Sequence, residues 1–163
     1  MEKNPLPLLI LWHSRTGAAR ALAQAAGEGA GGSARMMRAR DAVPEDLLAA
    51  SAFLFVCPEN LGTMTGEMKE LFDLSYYPLL GRIEGRPYAT LIAAGSDGHG
   101  AQGQIDRIVT GWRLRRVADG VIVNLGAQTP AAIAAPKIVP EGELARCREV
   151  GALLAEGISL GIF

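Results

Sequence analysis

Two hydroxyl residues and a glycine, Ser14, Thr16 and Gly17, stand between an apolar run and an alanine-rich segment. The apolar run at residues 7–12 is typical of a buried strand, and residues 17–27 are typical of a helix. A turn between them directs its backbone N–H groups and the positive end of the helix toward one point, where the hydroxyls can add hydrogen bonds. The pattern predicts a phosphate-binding loop formed by Ser14, Arg15, Thr16, Gly17, Ala18 and Ala19.

Two common kinds of phosphate-binding loop are excluded because residues 13–19 lack their motifs. A nucleoside triphosphate loop ends in Lys followed by Ser or Thr, and a dinucleotide loop has three spaced glycines. Residues 13–19 have neither feature. Two interpretations remain: a loop for a single phosphate group, and an ordinary strand-to-helix turn in which Thr16 caps the helix.

Two further loops contain residues that allow the backbone to approach a flat ligand closely. One follows the third predicted strand, and the other, which is dense in glycine, follows the fourth. They add the candidate binding residues Pro58, Glu59, Asn60, Leu61, Gly62, Gly95, Ser96, Asp97, Gly98, His99 and Gly100. We expect the carboxylates of Glu59 and Asp97 to be solvated. His99 either contacts a ligand or substrate, or is simply exposed to water.

Strand and helix patterns alternate along the chain, which indicates a parallel sheet with helices on both faces. Predicted strands cover residues 7–12, 34–37, 52–57, 88–94 and 119–124. Predicted helices cover residues 17–27, 44–50, 66–76, 102–117 and 141–160. Right-handed crossovers favour the strand order 2-1-3-4-5, which brings the three loops to the carboxyl edge of the sheet. Residues 126–140 are predicted to form a loop on or near that edge.

The three loops resemble those of flavodoxin-like proteins, themselves a standard example of ligand binding at the carboxyl edge of a sheet. The Ser14-x-Thr16-Gly17 spacing is similar to their phosphate loop for FMN. The second loop resembles that of the NAD(P)H:quinone oxidoreductases of the tryptophan-repressor-binding-protein type, through Pro58, Gly62, Met64, Gly66, Met68 and Lys69. The resemblance covers most of the chain. It implies one α/β domain over residues 1–163, with a flavodoxin-like, doubly wound, five-stranded parallel sheet.

The same resemblance implies an FMN-containing oxidoreductase that transfers two electrons from NADH or NADPH to a quinone or a similar acceptor. The cofactor performs the chemistry in such an enzyme, so no catalytic side chain is predicted. The resemblance also implies a homodimer or homotetramer. Two alternatives stay open: a small flavodoxin that carries electrons, and a flavodoxin-like domain without enzymatic activity.

The chain departs from these relatives at several positions. Ala18 and Ala19 stand where many of them have Asn and Thr, and Asn60 and Leu61 stand where they usually have Arg and an aromatic residue. Asp119 precedes Gly120 where they commonly have a histidine that lines the substrate side of the flavin. We expect these changes to lower the affinity for FMN and to alter the choice of substrate.

The overall charge is nearly balanced, with 16 Lys and Arg against 17 Asp and Glu. This argues against nucleic acid as a partner and against the strongly acidic docking surface of many electron carriers. Cys57 and Cys147 lack metal-ligand or redox-pair spacing and are predicted to be packing residues. Because the sequence has no run typical of a membrane span or a secretory signal, we expect a soluble cytoplasmic protein.

Overall fold

Alternating strands and helices make up residues 7–163, the part of the chain that this computed structural model describes. The strands are β1 (Leu8–Trp12), β2 (Ala34–Arg38), β3 (Ala52–Asn60), β4 (Thr63–Met64), β5 (Pro87–Ala94), β6 (Arg115–Arg116) and β7 (Val121–Asn124). The helices are α1 (Ala18–Ala30), α2 (Pro44–Leu48), α3 (Gly66–Leu79), α4 (His99–Gly111), α5 (Pro130–Ala134) and α6 (Glu141–Ser159). None of these helices is long and apolar enough to cross a membrane.

The main sheet is parallel, with the order β2, β1, β3, β5 and then β6 and β7 together at the edge. This confirms the predicted order 2-1-3-4-5, because β6 and β7 share the fifth position. That strand is interrupted: Arg116 pairs with Tyr88 and Val121 with Leu91, so residues 117–120 bulge opposite only two residues of β5. The short β4 pairs antiparallel with the end of β3.

Apolar side chains leave both faces of the sheet and form two separate cores. Strand β5 is buried along its whole length, as expected of a central strand covered on both sides. One core lies under α1 and α6, and the other lies under α2, α3 and α4. Met68, Leu71 and Phe72 of α3 are buried in the second core. The two layers of helices leave the carboxyl ends of β1, β3 and β5 at a common edge.

The predicted helix at residues 102–117 was wrong at both ends. Helix α4 starts three residues earlier, at His99, and ends at Gly111. Arg113 has a left-handed backbone with φ of 57°, which a right-handed helix cannot continue through. The adjacent Trp112 is fully buried and donates its indole N–H to Tyr76 O at 3.0 Å, so tertiary packing fixes this turn. Residues 115 and 116 then join the sheet as β6.

Smaller differences occur at other element ends. Residues 58–60 were predicted as loop but extend β3, because the chain turns back through β4 and completes a hairpin. The predicted loop at residues 126–140 contains α5, whose N-cap Thr129 accepts from the backbone N–H of Ala132 at 3.2 Å. Helix α3 runs on past residue 76 to Leu79, α2 ends at Leu48 instead of residue 50, and β7 starts at Val121 instead of residue 119.

Candidate functional site

The first loop leaves β1 at His13 and enters α1 through a left-handed glycine. Gly17 is the N-cap of α1, with φ of 96°, a conformation that side chains with a Cβ rarely adopt. Its N–H donates to Ser14 Oγ at 3.1 Å, which closes the turn. The interpretation in which Thr16 caps the helix was wrong, because Gly17 occupies that position and no side chain in residues 7–163 caps the helix.

The backbone donors of this loop are unused. Within the described chain, the N–H groups of Ser14, Arg15, Thr16, Ala18 and Ala19 donate to no acceptor. Ala18 and Ala19 are buried, with 5% and 1% of their surface exposed, and belong to the core between the sheet and α1. These alanines therefore offer the loop only backbone donors. A concave set of free N–H groups at the start of a helix has the chemistry of an anion site.

Arginines surround this loop. Arg15 and Arg20 are exposed, and the guanidinium groups of Arg20 and Arg38 lie 6.0 and 5.9 Å from the centre of the Trp12 ring. Trp12 is half-buried and packs against the core beneath α1. Three arginines thus lie near the end of β1, and one of them, Arg38, is paired with Glu67 at 3.2 Å.

His13 connects the first loop to α3. Its Nδ1 lies 2.8 Å from Thr65 Oγ1, and its Nε2 lies 3.8 Å from a carboxylate oxygen of Glu67. Burial lowers the pKa of His13, Glu67 opposes this shift, and the charges of Arg38, Arg15 and Arg40 add to it. Sequence reasoning missed this link, although a histidine directly after a buried strand was a visible signal.

The second loop is the tight hairpin turn between β3 and β4. Its two central residues, Leu61 and Gly62, have φ of 56° and 75°. Two-residue hairpin turns with positive φ at both positions strongly prefer Asn-Gly or Asp-Gly. Here a leucine takes the first position, and its side chain is 94% exposed. The fold thus holds an apolar group in solvent at the carboxyl edge, in a backbone conformation that leucine rarely adopts.

Glu59 joins the second loop to the third. Its carboxylate accepts the N–H of Gly98 at 2.9 Å through one oxygen and the N–H of Ala101 at 3.0 Å through the other. The expectation that Glu59 is solvated was wrong, since it caps the start of α4. The loops also touch directly: a Cβ on Gly100 would lie 2.1 Å from Gly62 O. The second and third loops therefore form one connected surface.

Asp97 and His99 lie at the outer side of the third loop. Both side chains are exposed, and Asp97 Oδ1 lies 2.6 Å from His99 Nδ1. The hydrogen bonds from His99 are the main cause that lowers the pKa of Asp97. The solvent exposure expected for Asp97 is confirmed, but the carboxylate has a partner.

Residues 124–137 run along the first and third loops. The Asn124 side chain donates to Ser96 O at 2.5 Å, and the Gln128 side chain donates to Gly95 O at 3.1 Å. The Lys137 N–H donates to Thr16 O at 2.9 Å. The segment therefore lies beside the carboxyl edge, where it was predicted to be.

The cysteines contribute to packing. Cys57 and Cys147 are both fully buried. Burial raises the pKa of the Cys57 thiol to about 12 and that of the Cys147 thiol to about 11, so neither is a thiolate near neutral pH. No cluster of three or more His, Cys, Asp or Glu that could hold a metal ion occurs in residues 7–163.

Comparison with known proteins gives three kinds of similarity. The family described as NADPH-dependent FMN reductase matches residues 35–125, more than half of the chain. A protein named flavodoxin from Aquifex aeolicus is 28% identical over 163 residues, covering 94% of this chain and 87% of that protein. An archaeal flavodoxin structure superimposes with a TM-score of 0.74 at 16% identity, covering 94% of this chain and 99% of the other. A WrbA-like flavodoxin from Agrobacterium tumefaciens gives 0.69 at 19% identity, covering 94% and 98%.

Proposed function

The chain belongs to the NADPH-dependent FMN reductase family, and from this premise we propose that it binds FMN at the three loops. We propose further that it transfers two electrons from NADH or NADPH to a quinone or a similar small acceptor. The observation that carries the proposal is the set of free backbone donors in the first loop, placed beside the connected second and third loops.

The first loop fits the phosphate of FMN. The N–H groups of Ser14, Arg15, Thr16, Ala18 and Ala19 have no acceptor within the described residues, and a dianionic phosphate would satisfy several of them at once. A Cβ at Gly17 would meet no atom within 4 Å, so the space beside this turn is open. Arg15 is exposed next to these donors and adds a positive charge.

The second and third loops fit the flat ring of FMN. Leu61 offers an exposed apolar surface, which an apolar ring would cover. The remaining candidate residues, Pro58, Glu59, Asn60, Gly62, Gly95, Ser96, Asp97, Gly98, His99 and Gly100, contribute mainly backbone groups. FMN, when bound, supplies the electron-transfer chemistry itself, so the loops have to hold, orient and cover it.

The carboxylate of Glu59 lies at the proposed ring site, but both of its oxygens have hydrogen-bond partners. Negative charge beside a reduced flavin makes reduction less favourable, because the reduced ring is itself prone to carry negative charge. Both oxygens of Glu59 accept backbone N–H groups at the positive end of α4. This pairing lowers the electrostatic penalty that a free carboxylate would impose at the same place.

An electron carrier is the second candidate, since the Aquifex relative is named flavodoxin. A carrier exchanges single electrons with proteins, whereas a reductase accepts a pair of electrons from a nicotinamide. A domain that does not bind FMN is the third candidate.

We also propose assembly into a homodimer or homotetramer, which sedimentation of the purified protein will test.

The visible spectrum of the purified protein with added FMN separates these candidates. A bound-flavin spectrum that NADPH or NADH bleaches anaerobically, and that a quinone restores, supports the proposed oxidoreductase. Bound flavin that neither nicotinamide reduces favours the carrier. Failure to bind FMN contradicts both and leaves the domain without enzymatic activity.

A further inference from the structure

An aspartate and a histidine form an exposed pair beside the proposed ring site. Asp97 Oδ1 lies 2.6 Å from His99 Nδ1, with the side chains 63% and 79% exposed. Asp97 Oδ1 also lies 3.4 Å from the backbone N–H of His99. A carboxylate on Nδ1 fixes the orientation of an imidazole and favours the tautomer with a proton on that nitrogen.

The backbone under this pair is fixed. His99 is the first residue of α4, and the N–H groups on either side of it, those of Gly98 and Ala101, are held by Glu59. Gly100 packs against Gly62 O of the second loop. An exposed ion pair on a mobile loop contributes little, but here the second loop holds the segment that carries it.

His99 borders an open space. Within residues 7–163, no group of the chain hydrogen-bonds Nε2 of His99. A cleft of about 680 Å³ lies beside the pair, bounded by α4 and the interrupted fifth strand. Its volume is in the range of small-molecule sites, and Asp97 and His99 are among its lining residues.

Reduction of a quinone requires a proton donor as well as electrons. A quinone becomes a hydroquinone by gaining two electrons and two protons. When the reduced cofactor supplies the electron pair with one proton, a second proton must reach the other carbonyl oxygen. A histidine held by a carboxylate is a common general acid for such a transfer.

We propose that His99 is the catalytic acid of this protein and that Asp97 is its positioning residue, with the acceptor bound in the cleft beside His99. This inference rests on the proposed function. Nε2 of the protonated ring gives its proton to the acceptor oxygen, and the C–O double bond becomes a C–OH single bond. The Nδ1–H stays hydrogen-bonded to the Asp97 carboxylate, and water returns the proton to Nε2.

Several charged groups lie around His99. Asp97 belongs to its own loop, and Glu59 approaches from the end of β3. The cleft is also lined by Asp106 of α4, Arg116 and Asp119 of the interrupted strand, and Arg146 of α6. Arg116 is 3.5 Å from Asp106, and Arg146 is 2.8 Å from Glu143. Asp97 is the one among them in hydrogen-bond contact with the ring.

The test compares two acceptors in the FMN-loaded protein. A benzoquinone needs protons, whereas ferricyanide takes single electrons without them. For His99→Gln, we expect the ratio of the benzoquinone rate to the ferricyanide rate to fall about 100-fold, at the lower end of the range for general acids. Added imidazole should restore part of the benzoquinone rate, and the fall in that rate with rising pH should disappear.

Asp97→Asn should lower the same ratio by a smaller factor. Asp73→Asn is the matched control, because Asp73 also has a cationic partner at 2.6 Å, Lys69 Nζ, and a side chain 64% exposed. The control should leave the ratio at the parent value. A loss of both rates in parallel in His99→Gln, or an unchanged ratio, would overturn the proposal.

Nuclear magnetic resonance provides a measurement that does not depend on activity. The chain has only two histidines, His13 and His99, so His99→Gln assigns both ring signals. At one fixed pH, Asp97→Asn should change the chemical shift of the His99 ring signal, because it alters the partner of Nδ1, and Asp73→Asn should not. An unmoved signal overturns the pairing. Absence of bleaching by either nicotinamide overturns the proposed function and this inference together, whereas bleaching with an unchanged acceptor ratio overturns only the inference.

Discussion

Two helices begin at the carboxyl edge of the same sheet, and they differ in whether a carboxylate of the chain accepts hydrogen bonds from their first N–H groups. Helix α4 starts on the carboxylate of Glu59, which accepts from Gly98 and Ala101. Helix α1 starts at Gly17, whose N–H donates to the neutral Ser14 Oγ, and no carboxylate in the described chain accepts from its first turn. Every helix begins with N–H groups that lack a partner within the helix. The chain thus supplies an anion to one helix and leaves the other open.

This difference assigns distinct roles to the two regions. The α4 start is complete without a ligand, because its own carboxylate satisfies the positive end of the helix. The α1 start has free donors and nearby arginines, so it gains hydrogen bonds when an anion arrives. The contrast supports the proposed phosphate site at α1, with the α4 side as a support for the proposed ring loops.

A carboxylate placed at the start of α1 should make this helix start resemble that of α4. In Ser14→Asp the new charge lies where Ser14 Oγ now accepts the N–H of Gly17. We expect the dissociation constant for FMN to rise about 100-fold, or about 2.8 kcal/mol, through repulsion of the phosphate. The cofactor-free protein should become slightly more stable, because the helix now has its own anion.

Ser14→Asn is the control, since it has the same shape without the charge. Titration calorimetry measures the affinity for FMN, and thermal melting measures the stability of the cofactor-free protein. Equal affinities in Ser14→Asp and Ser14→Asn would contradict the assignment of the phosphate to this loop.

Removing the charge at the start of α4 should cost stability. Glu59→Gln keeps one oxygen as an acceptor but loses the charge that strengthens two hydrogen bonds. We expect the free energy of unfolding of the cofactor-free protein to fall by about 2 kcal/mol, which lowers Tm by roughly 6 °C. Glu70→Gln, at an exposed position on α3, is the control and should change little. A similar fall in both variants would show that Glu59 does not act as a cap.

The sequence predicted the fold because its signals were regular and local. Apolar strands alternated with helical segments, and this pattern with right-handed crossovers left few possible sheet orders. The interruption of the fifth strand was missed, because residues 102–117 look helical until the buried Trp112 and the left-handed Arg113 are seen in place. Such boundaries depend on tertiary packing, which a local pattern does not contain.

The candidate site was only partly predictable for the same reason. Ser14, Gly17 and the glycines of the third loop are recognised from spacing alone. The cap formed by Glu59 joins residues about forty positions apart, and the contact between His13 and Thr65 joins residues 52 positions apart. Side chains that link separate loops leave no periodic pattern. The sequence therefore predicted a solvated Glu59, whereas its carboxylate joins the second loop to the third.

Inorganic phosphate should distinguish the two helix starts in the cofactor-free protein. At ten times its dissociation constant, phosphate should stabilise the protein by about 1.4 kcal/mol and raise Tm by roughly 4 °C. Ser14→Asp should lose this response, because its own carboxylate occupies the loop, whereas Glu59→Gln should keep it. Potassium chloride at matched ionic strength is the control. A response that survives in Ser14→Asp would place the anion elsewhere.

The smallest expected effect concerns His13, which ties the open first loop to α3. Its folded pKa is lowered, mainly by burial, so protonation favours the unfolded chain. The stability contributed by the neutral ring is fully present above the unfolded value of about 6.5, and it is lost as the pH falls from there toward the lowered folded pKa. His13→Gln should remove this part of the pH dependence, while His99→Gln should retain it. Denaturant unfolding measured between pH 5 and pH 8 checks the difference. If the free energy of unfolding depends on pH in the same way in the parent and in His13→Gln, burial of the His13 ring does not make stability depend on pH.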